Sequence, residues 1–223
     1  INNKNNIGVV SAIKEQLYIS NKSTNDISEI NLTAGKQTHR YLHKDLLTEA
    51  DQHKFNIIDM ISLEMHVVVV YQYLDQVIIK LFNQDGFVEE GQLVSKFKGF
   101  KLHAVTSKLI IFEYVDEKRT LQAIDLFTFA PAWKVELSWA NPPIVTNSEL
   151  LYIDDKSNLV SINLKTGLLS DLINVSDLIK DSVVDGDFEG GKNKVRIEHV
   201  HVGKTDLVAV MKLNSGNEIV ILR

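Results

Sequence analysis

Short apolar segments alternate residue by residue with polar positions along almost the whole chain, and polar turns interrupt them at regular distances. Residues 159–167, "LVSINLKTG", show the pattern: apolar side chains at every second position, then Lys-Thr-Gly. A period of two is typical of a β-strand, and Thr-Gly is typical of the turn that ends one. The pattern therefore predicts an all-β protein.

The strand pattern recurs as a unit. Five segments share the order apolar strand, polar turn, alternating strand, and a short extended segment precedes each of them: 15–35, 67–86, 108–130, 149–167 and 207–222. A repeat of roughly 40–50 residues that carries four strands is typical of β-propeller blades. We predict a single β-propeller domain over residues 1–223, with about five four-stranded blades near 7–42, 57–95, 100–137, 142–173 and 195–223. The alternatives are part of a seven- or eight-bladed ring and a β-sandwich, whose turns have similar spacing.

Two longer intervals between repeats hold inserted segments of one kind. They read "HKDLLTEADQ" (43–52) and "NVSDLIKDS" (174–182), and both are polar with paired Leu or Ile residues. This composition predicts one or two helical turns in each insertion.

Composition narrows the classes of function. The 223 residues carry a formal net charge of -5, contain no cysteine, and have no purely aliphatic run longer than four residues, the length of Val67–Val70. A missing cysteine excludes disulfides, thiolate metal sites and a cysteine nucleophile. The charge predicts no nucleic-acid partner, and the short apolar run predicts no membrane span. The compartment stays open, either cytoplasmic or extracytoplasmic.

Residues in and around the turns follow one pattern in three copies: Ala123, Asp125, Thr128, Trp133 and Leu137 in the third copy, Asn163, Thr166 and Gly167 in the fourth, and Asn31 and Gly35 in the first. This pattern resembles the PQQ-like repeat of quinoprotein-type β-propellers. The resemblance implies tryptophan packing between neighbouring blades. The family ranges from quinone-dependent dehydrogenases to non-catalytic scaffolds, and its enzymes are longer and have an adjacent cysteine pair. The resemblance therefore implies the non-catalytic branch, with no cofactor expected.

Two groups of residues could hold a metal ion. In "DGDFEGG" the acidic side chains of Asp185, Asp187 and Glu189 alternate before a glycine, as they do at the start of a calcium loop. A solvated glycine-rich loop is the competing interpretation. His199 and His201 share one face of a predicted strand, and His66 and His103 lie on corresponding segments. Packed or solvated histidines are the alternative there.

Exposed connectors are the predicted binding surface, because loops at strand ends carry function in repeat proteins. We expect a non-catalytic interaction module that binds a protein partner. Acidic side chains in the insertions favour a basic partner. The predicted contact residues are Trp139, Asp45, Glu49, Asp51, Asp177 and Asp181. The alternative is an enzyme or a carbohydrate-binding propeller with a site on its central axis.

Overall fold

A computed structural model describes residues 7–84, 87–138, 143–156, 158–174, 195–202, 207–213 and 218–222. In this part of the chain, consecutive strands form five separate antiparallel sheets, each hydrogen-bonded in chain order. Sheet 1 contains β1 (Ile7–Ile13), β2 (Gln16–Asn21), β3 (Ile27–Asn31) and β4 (Lys36–Tyr41). Two short helices, α1 (His43–Leu46) and α2 (Glu49–Gln52), follow it.

The remaining sheets repeat this order. Sheet 2 contains β5 (Asn56–Ser62), β6 (His66–Tyr73), β7 (Gln76–Asn83) and β8 (Glu89–Lys96). Sheet 3 contains β9 (Lys101–Val105), β10 (Leu109–Val115), β11 (Arg119–Asp125) and β12 (Pro131–Glu136). Sheet 4 contains β13 (Ile144–Val145), β14 (Glu149–Ile153), β15 (Asn158–Asn163) and β16 (Leu169–Asn174). Sheet 5 contains β17 (Val195–Val202), β18 (Leu207–Leu213) and β19 (Glu218–Leu222).

The chain divides into two compact units. The first contains residues 1–117 and 122–132, and the second contains residues 118–121 and 133–223. The prediction of a single domain with the blade limits given above stays a prediction. The helical turns predicted at 43–52 are confirmed by α1 and α2, whereas the turns predicted at 174–182 fall outside the described residues after Asn174.

The core of the first unit explains why strand β6 is apolar on both faces. Val67, Val69 and Tyr71 belong to one buried cluster, together with residues of sheet 1 and of the inserted segment. Val68 and Val70 belong to a second cluster, together with residues of sheet 3. Because alternate side chains of a strand point to opposite faces, one run of valines packs against both neighbouring sheets. The first strands of sheets 1 and 2 also lie side by side, where Ser62 donates its backbone N–H to Ser11 Oγ at 2.7 Å.

The tight turns after the third strands share one geometry. The carboxylate of Asp125 accepts hydrogen bonds from the backbone N–H groups of Phe127 and Thr128 at 3.0 and 2.8 Å, and from Thr128 Oγ1 at 3.0 Å. The amide oxygen of Asn163 accepts the equivalent three bonds from Lys165 and Thr166. These side chains replace backbone partners inside the turn, which is why Asp and Asn are favoured at this position.

Each of these turns places a left-handed residue four positions after its Asp or Asn. The positions are Gly35 (φ 63°), Phe87 (φ 53°), Phe129 (φ 57°) and Gly167 (φ 71°). Glycine adopts this conformation without the Cβ clash that other residues meet. Two of these four positions nevertheless hold phenylalanine, so the left-handed conformation is kept there without glycine.

Trp133 packs as the family resemblance implies. Its indole lies on Gly167, where an added Cβ would come within 2.7 Å of Cδ2, and its Nε1 donates to the Leu164 carbonyl at 3.2 Å. The contact joins β12 to the turn after β15, so the predicted tryptophan packing is confirmed here.

Candidate functional site

The inserted segment between sheets 1 and 2 is anchored in the core beneath it. Leu46, the last residue of α1, and Leu47 after it are buried, and Phe55 is buried after α2. All three belong to the cluster that also holds Tyr18 and Phe82. Burying such side chains contributes about 1.5–3 kcal/mol each, so the insertion is a packed part of the first unit.

Hydrogen bonds connect the two ends of the inserted segment. The Gln52 side chain donates from Nε2 to the carbonyls of Lys44 and Leu47, at 2.9 and 3.2 Å. The buried His43 ring places Nε2 2.9 Å from the carbonyl of Gln52. Its Nδ1 is buried and has no partner among the described residues. Helices of one turn are unstable alone, and these bonds together with the buried leucines fix the backbone of both.

Asp26 joins the insertion to sheet 1. Its Oδ1 accepts from the backbone N–H of His43 at 2.8 Å, and its Oδ2 accepts from Arg40 Nη2 at 2.6 Å. Burial alone would raise the pKa of this carboxyl, but the hydrogen bonds from His43 and Arg40 together hold the pKa below its ordinary value. Asp26 is therefore ionised and fully engaged at neutral pH, and Arg40 balances its charge.

A groove of about 470 Å³ lies between the β2–β3 turn and the inserted segment, lined by residues 23–26, 42–44 and 52–56. This size falls in the range of small-ligand sites. Lys44 and Lys54 line the groove with exposed side chains, and the structure gives neither an ion-pair partner among the described residues. Because Arg40 balances Asp26, the fixed charge of the lining is positive in a protein whose net charge is -5.

The acidic residues predicted in this insertion lie elsewhere on it. Asp45 and Glu49 are exposed, and Asp51 is half-buried and accepts from Thr48 Oγ1 at 2.6 Å. None of the three lines the groove. The insertion thus presents an acidic surface and, separately, a groove with basic residues. Sequence reasoning pointed to the segment but missed Lys44, Lys54 and Asp26, because only folding brings the β2–β3 turn beside the insertion.

The other predicted site residues lie outside the described part of the chain. They are Trp139, Asp177 and Asp181 for partner binding, and Asp185, Asp187 and Glu189 for calcium. The side chains of His199 and His201 are not described either. These positions stay predictions.

The two histidines of the first unit that the sequence suggests as metal ligands each lie beside a carboxylate. His66 Nε2 lies 2.9 Å from Glu90 Oε2, and His103 Nε2 lies 2.9 Å from Glu113 Oε2. Within the described residues, no group of three or more His, Asp or Glu side chains has the arrangement of a metal site. The carboxylate of Asp154 accepts three hydrogen bonds from Lys156 and Asn158 inside its own turn.

Solved structures resemble this arrangement of sheets. BamB from Moraxella catarrhalis matches with a TM-score of 0.52 and 12% identity, over 97% of this chain and 61% of BamB. Hsv2 from Kluyveromyces lactis matches with a TM-score of 0.55 and 9% identity, over 96% of this chain and 62% of Hsv2. Both are propellers. The chain has a β-propeller fold.

The computationally designed Ika8 protein also matches, with a TM-score of 0.52 and 13% identity over 93% of this chain and 57% of Ika8. The chain thus spans about three fifths of the length of the structures it matches. No protein-family model and no curated protein sequence matches it. These comparisons confirm the predicted propeller over the β-sandwich, and membership of the PQQ-like family stays a prediction. Among the described helices, none has the length and apolar character needed to cross a bilayer.

Proposed function

We propose that this β-propeller is a non-catalytic interaction module that binds a protein partner through the segment inserted at residues 43–55. One observation supports this function most strongly. A segment that departs from the blade repeat is nevertheless held rigidly, with Leu46, Leu47 and Phe55 buried below it and polar side chains exposed above it. A preorganised loop loses little conformational entropy when it binds, so it is suited to recognition.

Charge indicates the kind of partner. Asp45 and Glu49 are exposed, and no hydrogen bond or ion pair engages their side chains among the described residues. Unpaired carboxylates on a rigid surface attract a basic protein and accelerate its encounter. Asp51 lies on the same segment, and we propose Trp139, Asp177 and Asp181 as further contacts. Calcium at Asp185, Asp187 and Glu189 is a separate proposal that the binding role does not require.

The test is capture of a partner from native extract, followed by titration calorimetry with the purified partner. The Asp45→Asn/Glu49→Gln variant should weaken binding by about tenfold, with the loss decreasing at high salt. The matched control, Glu15→Gln/Asp155→Asn, removes the same two charges at exposed turns outside the insertion and should bind as the parent does. A partner bound equally well by both double variants would exclude the acidic surface. Trp139→Ala tests the connector in the same assay.

A further inference from the structure

The groove beside the insertion has the chemistry of a ligand site that is distinct from the acidic surface. Its lining contains one carboxylate, Asp26, whose two oxygens are occupied by His43 N–H and the Arg40 guanidinium. A cationic ligand would therefore meet no free carboxylate in the lining. Lys44 and Lys54 remain as exposed cations without ion-pair partners among the described residues. The charge of the lining selects for an anion.

The rest of the lining is suited to hydroxyl groups. Asn25 and Asn56 form one side-chain hydrogen bond with each other, from Nδ2 to Oδ1 at 3.2 Å, which leaves the second amide oxygen or nitrogen of each for other partners. The backbone N–H of Ile57 donates to the amide oxygen of Asn25 at 3.1 Å. The amide nitrogen of Asn56 remains as a free donor. Side-chain amides are versatile partners for hydroxyls, because each has both donors and an acceptor.

We propose that the groove binds a small oxyanion that also carries hydroxyl groups, of the hydroxy-acid or sugar-phosphate class. Its carboxylate or phosphate contacts Lys44 and Lys54, and its hydroxyls contact Asn56. The volume of about 470 Å³ accommodates a ligand of this size. The site differs from the acidic surface proposed for the protein partner, so either proposal can fail without the other.

The experiment measures ligand binding to the full chain by titration calorimetry, with amide chemical shifts to locate the site. The probes are citrate, tricarballylate (the same three carboxylates without the hydroxyl), glucose 6-phosphate and glucose. We expect citrate and glucose 6-phosphate to bind saturably and shift the amides of residues 23–26 and 52–56, and glucose not to bind. Citrate should bind more tightly than tricarballylate by about fivefold, the value of one hydrogen bond of about 1 kcal/mol.

Two double variants separate a site from general charge. Lys44→Gln/Lys54→Gln should lower the affinity for both anions by about tenfold or more. Lys36→Gln/Lys101→Gln removes two exposed lysines outside the groove and should leave affinity unchanged. Equal weakening by both variants, or no saturable binding of either anion, would overturn the proposal. If tricarballylate bound as tightly as citrate, the hydroxyl contact would be overturned, and the carboxylate contact with the two lysines would be supported.

Discussion

Two contacts in this protein pack an aromatic ring on a glycine, with the large and small residues in exchanged positions. In the second unit, Trp133 on outer strand β12 covers Gly167 in a turn. In the first unit, Phe129 in the equivalent turn covers Gly91 on outer strand β8, where an added Cβ would lie 2.7 Å from the ring. Both contacts place an aromatic ring between an outer strand and a turn of the next sheet. The pairing of one ring with one glycine is therefore kept, while the position that holds the ring is not.

The exchange has a conformational cost on one side only. Gly167 adopts its φ of 71° freely, whereas Phe129 at φ 57° carries a Cβ in the left-handed region. That region costs a non-glycine residue about 1–2 kcal/mol. The packing of the Phe129 ring on Gly91 offsets this cost, because the ring is half-buried in the contact.

The largest effect is expected at Gly167. Gly167→Ala adds strain at a φ of 71° and places a Cβ 2.7–2.9 Å from three atoms of the rigid indole. We expect a loss of about 3 kcal/mol in the free energy of unfolding, from displaced packing together with strain. Trp133→Ala should cost less, about 2 kcal/mol, because it removes the packing and the Leu164 hydrogen bond without strain. Urea unfolding with two spectroscopic probes measures both.

The double variant provides the control for this difference. Once Trp133 is alanine, Gly167→Ala has no ring to displace and should cost only its strain, about 1 kcal/mol. Strict additivity of the two single changes would contradict the contact.

The turn chemistry also shows how far the sequence predicts the fold. The alternation and the repeat predict the sheets correctly. Outer strands such as β8 and β12 are partly buried at every second position, and Asp or Asn begins the turn after the third strand of sheets 1 to 4. The sequence pattern fades at Phe129, where glycine is expected, because the distant Gly91 leaves the space that the ring occupies. That information is not local, so a search for the motif alone cannot recover it.

The candidate site was predicted only in part, for a related reason. An insertion between repeats is visible in the sequence, and the paired leucines predict its helical turns. The groove depends on Asp26, which lies 17 residues before His43, in the turn between β2 and β3. Its charge also depends on Arg40 balancing that carboxylate. Counting acidic residues along the segment predicts a uniformly acidic loop, whereas folding separates its acidic residues from the basic lining of the groove.

A smaller effect on stability is expected at Phe129, where the ring itself belongs to the residue in the left-handed conformation. Phe129→Gly loses the ring on Gly91 but relieves the left-handed strain, so we expect a net loss of only about 1 kcal/mol. Phe129→Ala loses the ring and keeps the strain, so it should be less stable than Phe129→Gly by about 1 kcal/mol. The same urea unfolding assay compares them. Alanine as stable as glycine at this position would mean that the φ of 57° carries no cost.

The smallest expected effect is a difference between the two turns in how their contribution to stability depends on pH. Hydrogen bonds from Thr128 N–H, from its hydroxyl and from Phe127 N–H hold the pKa of Asp125 below its ordinary value of 3.8. A lowered pKa in the folded state contributes stability that is present above 3.8 and lost as the pH falls through the folded value. The parent should therefore lose stability relative to Asp125→Asn on acidification below that range. Asn163 makes the equivalent bonds without titrating, so Asn163→Asp should introduce the same dependence into the other turn. The measurement is the unfolding midpoint of the parent and of both variants as a function of pH. If the turn does not stabilise the carboxylate, the midpoints of all three proteins will change with pH in parallel.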